Sequence, residues 1–91
     1  MLATCLTFSA ADDEKCNQAA ELFVKEYNAN AGDNHVYSLG RVTACWTVGD
    51  DLHVSLTMTF DNQYYKPCVN VIAKSPENPT EIASYGTCKN P

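Results

Sequence analysis

Leu22-Phe23-Val24-Lys25-Glu26-Tyr27-Asn28 closes the one amphipathic helical pattern in the chain, and the periodic segments after it are strand-like. Reading backward, apolar residues fall at Cys16, Ala19, Ala20, Phe23, Val24 and Tyr27. This is the i, i+3, i+4, i+7, i+8, i+11 series of a helix with one buried stripe. Ser9, with Asp12 three residues on, resembles a capping box with a shorter acid. Asp12, Asp13 and Glu14 then occupy the first turn, where carboxylates favour the positive end of the helix dipole. Consecutive carboxylates fan around a helix, so they are read as dipole compensation and no metal site is expected. The helix should stop near Asn28–Asn30, with Gly32 beyond it.

Downstream the period changes from 3.6 to 2. Val42, Ala44, Trp46 and Val48 alternate with Arg41, Thr43, Cys45 and Thr47; Leu52, Val54, Leu56, Met58 and Phe60 alternate with His53, Ser55, Thr57 and Thr59. Both runs read as half-buried strands. A three-residue turn at Gly49-Asp50-Asp51 would pair Val48 with Leu52, Trp46 with Val54 and Ala44 with Leu56. Trp46 would then belong to the core, while His53 and Cys45 would share the solvated face. Joining Cys68 to Cys88 sets a second register, with Val69 opposite Thr87, Val71 opposite Tyr85 and Ala73 opposite Ala83, and with the turn at Pro76-Glu77-Asn78-Pro79. Prolines suit that turn and not a central strand. Residues 1–8 alternate weakly and fit a first edge strand. The expected fold is α+β, one helix across an antiparallel sheet of four or five strands, with residues 1–91 as one domain.

Ninety-one residues make a thin core, since a chain of this size buries only about 60–65% of its unfolded surface. Five cysteines suggest disulfide support and an oxidising compartment, and their odd number leaves one thiol free or paired with another molecule. A net charge of −5 with only six Lys and Arg excludes a nucleic-acid surface. No apolar run approaches the roughly 20 residues of a membrane span. Met1–Ala10 lacks the basic start of a signal peptide, and the chain is read as a mature secreted one.

The helix ending Phe23-Val24-Lys25-Glu26-Tyr27-Asn28 resembles the Phe-Ala-Val-x-Glu-Tyr-Asn of the cystatins, with Leu22 at that family's Phe. The Cys68–Cys88 segment is similar in spacing to the C-terminal disulfide hairpin of the secreted, disulfide-containing cystatins, with Pro76 at the hairpin proline. The resemblance runs from about Thr4 to the C-terminus. It implies a wedge that plugs the cleft of a papain-like cysteine protease, built from an N-terminal trunk and two hairpin loops. The protease-binding positions so implied are Thr4 and Cys5 in the trunk, Cys45, Trp46, Thr47, Val48 and Gly49 in the first loop, and Pro76 and Glu77 in the second. The chain departs from the family pattern at most of them. Thr4 stands at the trunk glycine. The Gln-x-Val-x-Gly of the first loop keeps only Gly49, and the Pro-Trp of the second becomes Pro76-Glu77. The connection at Asp61–Pro67 is shortened and lacks the family's other disulfide. Losing a buried aromatic and desolvating a charge in its place are typically worth ~2–4 kcal/mol at an interface.

The same correspondence makes Cys5–Cys45 the favoured second bridge, pinning the trunk to the first hairpin. Cys16 on the apolar stripe is then a buried free thiol. The alternatives are an intermolecular bridge through Cys16, or a Cys5–Cys16 bridge that leaves Cys45 exposed. The protein is expected to be a monomer or a disulfide-linked dimer.

Catalysis is not expected. His53 and Cys45 would lie diagonally across one face, but no third group or oxyanion device accompanies them, and a bridge at Cys45 removes the nucleophile. Two histidines and no close cysteine pair exclude a zinc site, and no phosphate loop or cofactor motif occurs. Tyr64-Tyr65, in the connection before Lys66-Pro67, reads either as an exposed contact point or as the cover of the sheet edge. Two functions compete: inhibition of papain-like proteases, weak or redirected, and a secreted binding protein or effector without inhibitory activity.

Overall fold

The computed structural model describes residues 13–30, 35–61, 63–74 and 81–89. Among them are one helix, α1 (Asp13–Asn30), and five strands: β1 (Ser38–Val48), β2 (Asp51–Phe60), β3 (Tyr64–Lys74), β4 (Glu81–Ser84) and β5 (Thr87–Cys88). The sheet is antiparallel in the order β1-β2-β3-β4, and β5 pairs the earlier part of β3. The fold class is α+β, one helix packed against an antiparallel sheet. The expected edge strand at 1–8, the cap at Ser9 and Asp12, Gly32 and the turn at 76–79 lie outside the described residues.

The buried stripe of α1 is Cys16, Ala19, Ala20, Phe23 and Val24, the residues that the 3.6 period selects. Phe23 and Val24 join Val54, Leu56, Met58 and Val71 in one hydrophobic cluster, and Tyr27 packs at its edge. Beyond the helix, the Asn28 side chain clamps the incoming strand. Its Nδ2 donates to the Tyr37 carbonyl and its Oδ1 accepts from the Tyr37 N–H, both at 2.9 Å. Tyr37 meets Tyr27 and Phe60 edge-on, and Phe60 is stacked between His35 and Tyr64. Lys66, only 8% exposed, runs beneath this group with Nζ 5.3 Å from the Tyr27 ring centre and 5.6 Å from that of Tyr37.

Bulges correct the expected registers. In β1, pairing slips at Gly40 and again at Thr43, so Leu39 faces Met58, Val42 faces Leu56 and Cys45 faces Val54. The β1–β2 turn holds two residues, Gly49 and Asp50, because Val48 pairs with Asp51 and not with Leu52. Gly49 has φ +60, the sign that a two-residue hairpin turn of matching twist requires. The slips move Trp46 opposite His53, on the face that α1 does not cover, and turn Cys45 and Thr47 toward the helix. Trp46 is therefore no core residue, and Cys45 and His53 do not share a face.

β3 bulges at Val69–Asn70, where Asn70 takes φ +62. Val69 opposes Thr87 as expected but is exposed, and Ala73 opposes Ile82 instead of Ala83. Tyr64 through Pro67 belong to β3, not to an irregular connection. Pro67 sits inside the sheet without breaking the β2–β3 ladder, because its carbonyl, and so its missing N–H, points to the other side, where it accepts from the Lys89 N–H at 2.9 Å.

Two disulfides cross-link the elements. Cys68–Cys88 joins β3 to β5 at directly paired positions. The second is Cys16–Cys45, between the first turn of α1 and the later half of β1. This corrects the expected Cys5–Cys45 bridge and the free thiol at Cys16: the bulge at Thr43 swings Cys45 inward, under the helical stripe on which Cys16 lies. Cys5 is outside the described residues.

Candidate functional site

The residues of interest gather at one end of the sheet. Asp51 pairs with Val48 on one side and with Lys74 on the other, and Lys74 pairs with Glu81. The Gly49-Asp50 turn and the connection 75–80 therefore leave the sheet from the same row. The Cys16–Cys45 bridge fixes the start of α1 to this half of β1. Of the positions named from the sequence, Cys45, Trp46, Thr47, Val48 and Gly49 are described here; Thr4, Cys5, Pro76 and Glu77 lie outside the described residues.

Each of the five has a distinct setting. Cys45 is half-buried and bonded to Cys16. Thr47 is half-buried opposite Leu52, on the helix side. Trp46 stacks on His53 with ring centres 5.6 Å apart and planes at 25°, and the Ile72 position continues the row across β3. Val48 is exposed, as are Gly49 and Asp50. Among the described residues of this row and its turn, Asp50, Asp51 and Glu81 outnumber Lys74 around the exposed Val48.

Among the described residues, Cys45 and His53 are not brought together at this end. Cys45 is consumed in a disulfide and His53 faces the opposite side of the sheet.

No family model, curated protein or solved structure matches the chain.

Among the described residues no helix is long and apolar enough to cross a membrane. Two intrachain bridges fit an oxidising compartment. Two features of the site escaped the sequence. One is the outward Trp46–His53 pair; the other is the bond from Cys45 to the helix. Gly40, a glycine inside a strand pattern, was the available signal for a bulge. The second bulge, at Thr43, has no such mark.

Proposed function

We propose that the chain is a secreted protein of cystatin-like fold that works by binding and not by catalysis. Its contact end is the β1–β2 turn together with the connection between β3 and β4, presented to the cleft of a papain-like cysteine protease. The supporting observation is the row Val48–Asp51–Lys74–Glu81, which sets the two connections side by side at one end of the sheet. A wedge inhibitor needs two such neighbouring loops, pre-organised before contact. The turn with exposed Val48 and Gly49 forms the first contact, and Pro76-Glu77 the second.

Inhibition through this end is weak. The hairpin's large aromatic, Trp46, is stacked away on His53, and hot-spot energy comes mainly from buried aromatic anchors. Glu77 replaces such an anchor with a charge that binding would desolvate. The Trp46–His53 pair on the uncovered face also favours a second reading, a binding protein or effector with no protease target.

Inhibition constants against papain and a cathepsin decide between them. The native chain should inhibit in the micromolar range, and Glu77→Trp should tighten inhibition by about one to two orders of magnitude, at ~1.4 kcal/mol per tenfold. Nanomolar inhibition by the native chain would overturn the assignment of a weak wedge. No inhibition by either form at tens of micromolar would reject the wedge and leave the binding protein.

A further inference from the structure

The sheet face opposite α1 carries a groove of about 520 Å³, lined by Gly40, Arg41, Thr57, Tyr65 and Pro67. The volume lies within the range of small-ligand sites. Its walls come from three adjacent strands, because Thr57 pairs with Arg41 on one side and with Pro67 on the other. Gly40 makes the floor. A Cβ there would lie 2.8 Å from the Thr57 carbonyl oxygen and 2.9 Å from Thr59 Cγ2, so the glycine lets β1 close on β2. Tyr65 is 59% exposed on one wall.

Charge separates this face from the rest of the molecule. Arg41 is the one arginine of the chain, and it makes no ion pair or side-chain hydrogen bond to the described residues. The described carboxylates are on α1, at the Gly49-Asp50 end with Asp51 and Glu81, and at Asp61 beyond β2; none lines this groove, and Asp13 is on the neighbouring cavity that Gly40 and Arg41 also line. In a chain of net charge −5, the groove is a local exception.

We propose that the groove binds a small anionic amphiphile, a carboxylate head on a flat apolar body. The Arg41 guanidinium takes the head in a charge-assisted, bidentate contact. The Thr57 hydroxyl donates to the same group. The Tyr65 ring and Pro67 cover the body, where aromatic and apolar contact supplies affinity without directionality. This site is separate from the protease-facing end and does not depend on it.

The test uses the full, oxidised chain labelled with nitrogen-15 and titrated with 2-naphthoate, with 2-naphthalenemethanol as its uncharged counterpart. The amides of Gly40, Arg41, Thr57 and Tyr65 should shift along one saturating curve within a few millimolar naphthoate. Arg41→Gln should weaken the carboxylate by about tenfold or more, the worth of a hydrogen bond to a charged group, and leave the alcohol nearly unchanged. Tyr65→Ala should weaken both probes, and its unperturbed spectrum elsewhere confirms the fold. The proposal falls if no saturable shift appears, if the shifts centre on other residues, or if Arg41→Gln does not separate the two probes. Shifts at these residues that grow with protein concentration alone would overturn it in favour of an interface between copies.

Discussion

At the residue scale, the stretch Leu22–Asn28 works as a set of separate contacts. Phe23 and Val24 enter the core, Tyr27 meets Tyr37, Glu26 accepts a 2.7 Å hydrogen bond from the Tyr85 hydroxyl, and Asn28 grips the Tyr37 backbone. Periodicity revealed the first three, because burial repeats along the helix. It was silent on Glu26 and Asn28, whose partners are 59 and 9 residues away. Asn28→Ala removes partners from both Tyr37 backbone groups and should lower unfolding stability by ~1–3 kcal/mol in urea titration. An unchanged midpoint would mean that water replaces the clamp at no cost. Tyr85 makes a pH prediction. Its hydrogen bond to Glu26, then its modest desolvation and the Glu26 charge, raise the phenol above its ordinary value near 10. The folded state thus holds the proton more tightly than the unfolded state. The associated stability is fully present below the unfolded value and is lost as pH climbs through the folded one. In an absorbance titration, the component missing from Tyr85→Phe should be shifted to high pH, and Glu26→Gln should move it down. A Tyr85 component insensitive to Glu26→Gln would contradict the assigned cause.

At the element scale, the strands divide by whether they bulge. β2 has none, and its alternation from Leu52 to Phe60 located its buried face from sequence alone. In β1 the inward positions fall at Leu39, Val42 and Cys45, every third residue, because Gly40 and Thr43 are each inserted. A period of 2 that starts at Val42 crosses one insertion, at Thr43, and ends on the wrong face. That single error placed Trp46 in the core and Cys45 in solvent, and it hid the Cys16–Cys45 bridge. The geometry makes opposite forecasts for two large side chains on neighbouring strands. Leu56→Ala opens a cavity in the core and should cost ~2–5 kcal/mol. Trp46→Ala gives up mainly a surface stack on His53 and should cost only about 0.5–1.5 kcal/mol. Denaturation of both variants beside the native chain tests the register. A tryptophan truncation as damaging as the leucine one would return Trp46 to the core and overturn the bulge at Thr43.

At the scale of the whole molecule, the helix, the antiparallel sheet and the β3–β5 bridge were legible, because each rests on local pattern or on paired spacing. The second bridge was not, since it depends on which way a bulged strand turns. Its position matters to the proposed function. A Cys5–Cys45 bond would have stiffened the trunk against the first hairpin; Cys16–Cys45 instead ties the helix to the sheet edge, closing a separation of 29 residues against 20 for Cys68–Cys88. Loops of this size are worth ~3–4 kcal/mol each in the chain-entropy account, a large share of the 5–15 kcal/mol typical of a folded domain. With four cysteines paired among the described residues, Cys5 is the one left, where the resemblance implied a bridge to Cys45. Alkylation in denaturant without reductant should therefore add one label per chain, on Cys5, and peptide mapping should recover Cys16 linked to Cys45. A label on Cys16 would restore the Cys5–Cys45 pairing and with it a rigid trunk. Absence of any label, with a mass twice that of the chain, would place Cys5 in a bridge between two copies. Labelling Cys5 in the folded protein should also leave its melting temperature unchanged, because neither bridge of the described fold uses it.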